Sequence, residues 1–127
     1  MRILYVRRIK KEVVNLPNWN ANNLKIYGEE KELRRFRLAA KGRPQVYAES
    51  RKEKDFKEPA VEDLCFNRIV PIPKALLKKS YGEGGGHDWE VKNWGVKWGA
   101  SSPQLVQDEE FGYLDYSFDT PWEPPEA

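Results

Sequence analysis

Cys65 and His87 are the one thiol and the one imidazole of the chain. A Cys–His pair would supply a nucleophile and a base if the fold brought them together. Cys65, however, stands in the apolar pattern Leu64-Cys65-Phe66, where cysteine behaves as a small core residue. Glu83, Asp88 and Asp119 could serve a small carboxylate-only hydrolase, but no spacing among them points to one. Asp115 and Asp119 share one face of an alternating segment. With no clustered histidine and no third ligand at suitable spacing, they read as a solvated strand face and not as a metal site. The loop Tyr81-Gly82-Glu83-Gly84-Gly85-Gly86-His87 precedes a helical segment and could present backbone N–H groups to phosphate. It lacks the Gly-Lys-Ser/Thr ending of a P-loop, and Glu83 and Asp88 would repel the anion. The pattern assigns no catalytic residues, no metal and no cofactor, and it favours a chain that is not an enzyme.

The richest stretch is Asp88-Trp89-Glu90-Val91-Lys92-Asn93-Trp94-Gly95-Val96-Lys97-Trp98-Gly99-Ala100, with three of the five tryptophans. It predicts a short helix with Asp88 as N-cap, where a carboxylate meets free backbone N–H groups and the positive end of the helix dipole. Val91, Trp94 and Trp98 fall at i, i+3 and i+7 on one helical face. Gly95 and Gly99 can supply the positive φ that ends a helix. The simpler reading makes Trp94 and Trp98 core residues. The functional reading is an amphipathic ledge, with Lys92, Asn93 and Lys97 beside indole faces for stacking or cation–π contact.

These groups must be positioned by one domain, since 127 residues suffice for a real core but not for two ordinary ones. Hydrophobic residues make up 39% and charged residues 33%, the balance of a polar, ordered chain. A net charge of +2 does not argue for nucleic acid, although the distribution is uneven. Basic residues concentrate before residue 57, and Asp108 to Glu126 contains no Lys or Arg. Such asymmetry can steer a charged partner or pair the two ends within one fold. A single cysteine excludes an internal disulfide and a cysteine-ligated iron–sulfur cluster within one chain. With no long apolar run and a short, charged N-terminus, the expectation is a cytoplasmic protein without membrane association.

Ile3 to Val14 reads as a strand or a loose arm, so residues 1–16 stand as an N-terminal arm or extra strand. Asn23 to Tyr27 alternates and predicts a first core strand stopped by Gly28. Glu29 to Ala40 is the strongest helix, with Leu33, Phe36 and Ala40 as its buried stripe and Lys31, Arg34 and Arg35 away from it. Residues 43–60 read as a loop or insertion. Leu64 to Val70 is strand-like, ended by Pro71 and Pro73, and Lys74 to Ser80 can form a helical turn. Gln104–Gln107 and Gly112–Thr120 predict an antiparallel hairpin, with Leu114, Tyr116 and Phe118 inward and Tyr113, Asp115, Ser117 and Asp119 outward.

Four motifs in order carry a resemblance. They are Pro17-Asn18-Trp19 leading to Asn22-Asn23-Leu24; Phe66-Asn67-Arg68-Ile69-Val70-Pro71-Ile72-Pro73; Asn93-Trp94-Gly95-Val96-Lys97-Trp98-Gly99-Ala100; and Phe118-Asp119-Thr120-Pro121-Trp122-Glu123-Pro124-Pro125. Together they resemble the YubB ferredoxin-like family, small proteins of phages, plasmids and bacterial chromosomes with no established activity. The resemblance implies an α+β fold, an antiparallel sheet with helices on one face, without an iron–sulfur cluster. Relatives continue after the Trp-x-Pro-Pro element with a helix and a last strand, so the resemblance implies a C-terminally shortened version. Either Ile3 to Val14 completes it, or an open edge and apolar face remain for a partner, including a homodimer.

Three functions stand as expectations. The leading one is a non-catalytic protein-interaction module of a mobile element, binding a host or phage protein in the bacterial cytoplasm through Asn93, Trp94, Lys97, Trp98, Thr120 and Trp122. The second is single-stranded nucleic-acid binding through sheet aromatics such as Tyr113 or Tyr116 with the patch Arg34, Arg35 and Arg37. The third is the small hydrolase.

Overall fold

Nine residues, Trp19–Tyr27, alternate so that Asn20, Asn22, Leu24 and Ile26 face one way and Ala21, Asn23, Lys25 and Tyr27 the other. This strand, β2, is the spine of the sheet. A computed structural model describes the backbone of residues 2–7 and residues 19–79, 81, 82, 84–121 and 125. β1 is Arg2–Arg7, β3 is Ser101–Gln107 and β4 is Tyr113–Pro121. The sheet order is β1-β2-β4-β3, and every neighbouring pair is antiparallel.

Because β4 is antiparallel to both of its neighbours, β2 and β3 run parallel with β4 between them. That is the split β-α-β arrangement, and it is compatible with a ferredoxin-like sheet. β1 lies antiparallel on the free side of β2, with Ile3 opposite Ile26 and Val6 opposite Asn23. An N-terminal segment thus occupies the edge beside the first core strand. The remainder of the expected Ile3 to Val14 strand or arm lies outside the described residues, as do Pro17, Asn18 and the Trp122-Glu123-Pro124 part of the last motif.

Helix α1, Glu30–Ala40, has Glu30 and Glu32 in its first turn and Arg37 in its last, the order that complements a helix dipole. Leu33 and Ala40 are fully buried, and Phe36 is half-buried with its ring edge-on to Tyr116, 6.3 Å between centroids. They close a core with Ile26, Leu64, Leu114, Tyr116 and Phe118. Burying each large side chain of this kind stabilises the fold by about 1.5–3 kcal/mol. Inward and outward residues of β4 fall as its alternation predicts.

The segment 64–70 differs from expectation. Leu64 and Cys65 are buried, and the chain then forms a short helix instead of a strand. The short helices are α2, Ala48–Arg51; α3, Phe66–Ile69; and α4, Lys74–Leu77. A short apolar run does not by periodicity alone distinguish strand from helix. Here the bends are fixed by Val70 N–H donating to the Phe66 carbonyl at 2.8 Å and Ile72 N–H donating to Asn67 Oδ1 at 2.7 Å. Phe66 meets Phe118 and Trp94 edge-on at 5.8 and 5.6 Å. It thereby joins the sheet core to a second cluster of Tyr47, Ile72 and Trp94.

Residues 43–61 leave and return through a clamp: Gly42 N–H donates to the Glu62 carbonyl at 3.0 Å and Glu62 N–H to the Gly42 carbonyl at 2.7 Å. The excursion is anchored by buried Tyr47 and contains α2, so the loop expected there is partly helical. Among the described residues no helix is long and apolar enough to cross a membrane.

Candidate functional site

Helix α5 runs from Gly86 to Trp94 with Gly85, not Asp88, as its N-cap. Asp88 sits in the first turn and accepts a 2.5 Å hydrogen bond from Gly84 N–H, bracing the preceding loop. Gly86 is dictated by packing, because a Cβ there would lie 2.0 Å from the Tyr47 ring. Gly86, Glu90 and Trp94 make the buried face at i, i+4 and i+8, whereas Val91 is exposed. Gly95, at φ +82°, ends the helix. The expected stripe of Val91, Trp94 and Trp98 therefore does not form, since Trp98 lies beyond the helix end.

Glu90 organises the surrounding groups. It is 0% exposed. Its carboxylate accepts from the Tyr47 hydroxyl at 2.5 Å, from Gln45 Nε2 at 3.3 Å and from Trp98 N–H at 2.7 Å. These are neutral donors, and hydrogen bonding of this kind is what makes a buried carboxylate tolerable. Burial, then the bond to Glu90, pushes the Tyr47 hydroxyl well above its usual pKa, so it stays a neutral donor.

Gln45 Nε2 also donates to the Trp98 carbonyl at 3.3 Å. Glu90 and Gln45 thus hold the Trp98 backbone from both sides at φ +75°, a conformation costing roughly 1–2 kcal/mol for a non-glycine residue. The indole remains 41% exposed. It has Lys97 Nζ 4.6 Å from its ring centre, Trp19 at 6.2 Å and His87 at 6.5 Å. His87 stacks on Tyr81 at 4.8 Å and stands perpendicular to Tyr47 at 6.0 Å.

Two concavities share the Tyr81 and His87 rings. One, of about 490 Å³, is lined by Pro44, Gln45, Tyr47, Ser50, Tyr81, His87 and Trp98. The other, of about 400 Å³, runs past Gly82, Asp88, Val91 and Lys97 to Pro121. Among the described residues the first has no Asp, Glu, Lys or Arg in its wall, and Glu90 stands behind Tyr47.

Of the six residues expected to form a surface, the fold gathers only part. Lys97 and Trp98 are together at the rim. Asn93 is exposed on α5 and bonds back to the Trp89 carbonyl at 2.9 Å. Trp94 is interior, donating from its indole N–H to the Val70 carbonyl at 3.0 Å. Thr120 is fully buried and accepts from Asn22 Nδ2 at 2.9 Å. Burial removes these two from any exposed ledge. Trp122 lies outside the described residues.

The basic patch and Tyr113 are on opposite sides of the sheet. Arg37 forks onto Glu109, with Nε 2.8 Å from Oε2 and Nη2 2.8 Å from Oε1. Arg34 bonds Glu30 at 2.8 Å and approaches Glu109 at 3.5 Å, and Arg35 is exposed. All three belong to α1, which covers the inner face. Tyr113 is on the outer face, stacked on Tyr27 at 5.5 Å with Lys25 Nζ 6.0 Å from its ring.

Cys65 donates to the Arg43 carbonyl at 3.2 Å, and burial raises its thiol pKa. His87 packs among Tyr47, Tyr81 and Trp98, and its described ring contacts do not include Cys65. Asp115 accepts from Asn23 Nδ2 at 3.2 Å. Among the described residues no group of three His, Cys, Asp or Glu is placed to hold a metal ion.

The residues that build the site, Gln45, Tyr47, Tyr81, His87 and Glu90, are not grouped by sequence pattern. The available signal is Glu90 four residues from both Gly86 and Trp94, an acid on the helix's packed face. Compared with protein-family models, curated proteins and solved structures, the chain gives no match.

Proposed function

We propose that this chain is a non-catalytic protein-interaction module with a ferredoxin-like fold, of the mobile-element type, acting on a host or phage protein in the bacterial cytoplasm. The mobile-element part rests on the motif resemblance alone; the fold part rests on that resemblance and is compatible with the β1-β2-β4-β3 order. The interaction part rests on one observation: the exposed Trp98 indole stands on a backbone fixed by buried Glu90 and by Gln45. A large aromatic side chain held in place before binding loses little entropy on contact, and tryptophan is enriched among residues that dominate interfaces. Lys97 supplies a polar rim beside the indole, and Asn93 is exposed on the neighbouring helix α5. Capture from host lysate with folded Lys97→Ala/Asn93→Ala and Trp98→Ala variants tests it. Loss of a specific protein in both supports the surface, and undiminished capture refutes it.

Single-stranded nucleic acid is the competing reading, favoured by the Tyr27–Tyr113 stack beside Lys25 on the outer sheet face. Against it, Asp115 and Asp119 share that face and would repel phosphate, and the α1 arginines are on the other side.

A further inference from the structure

We propose that the cavity walled by Tyr47, Tyr81, His87 and Trp98 binds an alkylated ammonium group. The inference rests on the reading of Trp98 as a recognition residue and names the chemistry it recognises.

Four aromatic rings line one concavity of about 490 Å³, a size within the range of small-ligand sites. Neighbouring rings meet at steep angles: Tyr47 to His87 at 90°, Tyr47 to Tyr81 at 69° and His87 to Trp98 at 79°. Tyr81 and His87 stack on each other at 4.8 Å and 24° and so form a single wall. With Tyr47 and Trp98 they give an open concavity three differently turned aromatic walls, an arrangement that suits a quaternary ammonium group. The chain's own Lys97 already places an ammonium 4.6 Å from the Trp98 ring centre.

The charge behind the wall has the matching sign. Glu90 is completely buried, and its described partners are the neutral Tyr47 hydroxyl, Gln45 amide and Trp98 N–H. Tyr47, which bonds Glu90 and lines the cavity, is itself buried, so screening on that side is weaker than in open solvent. Glu49, which accepts from Tyr81 N–H at 3.3 Å, adds a second carboxylate near the same wall. Among the described residues neither lysine nor arginine lines this cavity.

Alkylation follows from the hydrogen-bond inventory. The Glu90 oxygens are already engaged by three donors, and apart from the rings themselves only Gln45 and Ser50 add side-chain acceptors to the described wall. A bare ammonium would surrender three hydration bonds for few replacements, at a cost of several kcal/mol per unmade bond at most. A trimethylated ammonium has no N–H to satisfy and keeps its charge.

The group can come from a free small molecule or from a methylated lysine on a protein. Titrations of the full chain, followed by the NMR signals of His87 and Trp98, would use four probes. They are choline, its neutral carbon isostere with a tert-butyl group, a trimethyl-lysine peptide and the same peptide unmodified. The expected result is saturable shifts with choline or the methylated peptide, with the isostere and the unmodified peptide about tenfold weaker or more. Tighter binding of the methylated peptide than of choline identifies a protein side chain, and the reverse identifies a free small molecule. Either source supports the proposal. Tyr81→Leu and Glu90→Gln should each weaken the bound probe about fivefold or more; Tyr81→Leu alone carries this arm if Glu90→Gln does not fold. Equal binding of the isostere, or no saturable shift with any probe, overturns the proposal. Should the ammonium probes fail while Trp98-dependent protein capture persists, the interaction reading survives without this inference.

Discussion

Tyr47 and Glu90, forty-three positions apart, meet in the interior through a 2.5 Å hydrogen bond, and the backbone of Trp98 hangs from the other carboxylate oxygen. The excursion after α1, helix α5 and the exposed indole are thereby one mechanical unit. Tyr47→Phe should destabilise the chain by about 1–3 kcal/mol, because it leaves a buried carboxylate short of a donor. Urea denaturation measures this, and a loss below about 0.5 kcal/mol would show that the bond carries no weight.

Gly86 is the sharpest steric requirement in the site. Gly86→Ala drives a Cβ into the Tyr47 ring at 2.0 Å and should cost about 3 kcal/mol or more. Gly112→Ala meets only open space at φ +84° and should cost about 1–2 kcal/mol, from backbone conformation alone. A double-mutant cycle separates the two mechanisms. Adding Tyr47→Ala should relieve much of the Gly86→Ala penalty and none of the Gly112→Ala penalty.

Arg37 and Glu109 give the chain an acid-sensitive tie between α1 and the turn before β4. The Arg37 fork holds the Glu109 carboxyl at about 2, below its ordinary 4.5. Above pH 4.5 the carboxyl is ionised in both folded and unfolded chains, and the stabilisation is complete. As pH falls from 4.5 toward about 2 the unfolded chain takes up the proton first, and the stabilisation is lost. Arg37→Met should lower stability at neutral pH by about 1–2 kcal/mol. It should also flatten the acid limb in that window; an unchanged acid limb would contradict the pairing.

The outer sheet face makes a separate prediction. Labelled single-stranded oligonucleotide should show no salt-dependent retention, since carboxylates share the face with the Tyr27–Tyr113 stack. A shift at low salt that Lys25→Ala removes would promote the nucleic-acid reading.

What is legible in the sequence is local and periodic. The β4 alternation, the Leu33, Phe36 and Ala40 stripe of α1 and the glycine at the end of α5 are consequences of spacing within one element. The 64–70 segment reads as a strand but folds otherwise: Leu64 joins the sheet core, Phe66 bridges the two packing clusters, and Ile69 and Val70 are left exposed instead of lining a sheet face. The i, i+4 spacing of Glu90 to Gly86 and Trp94 marks it as an acid on a packed face, but not its role, since its partners Gln45 and Tyr47 come from a stretch that reads as a loop. Trp98 falls on a helical stripe only because periodicity does not register the positive φ values at Gly95 and Trp98. Trp94 and Trp98, four residues apart in the same motif, consequently have opposite fates, one in the core and one at the surface.

The most direct test of Trp98 as a recognition residue is photo-crosslinking in host cells. A photoreactive phenylalanine analogue would replace Trp98 and, in a control, Phe111, an exposed aromatic at the β3–β4 turn. With both variants folded, a discrete protein adduct at position 98 and none at 111 is the expected result. No adduct at 98, or the same adducts at both positions, would contradict it.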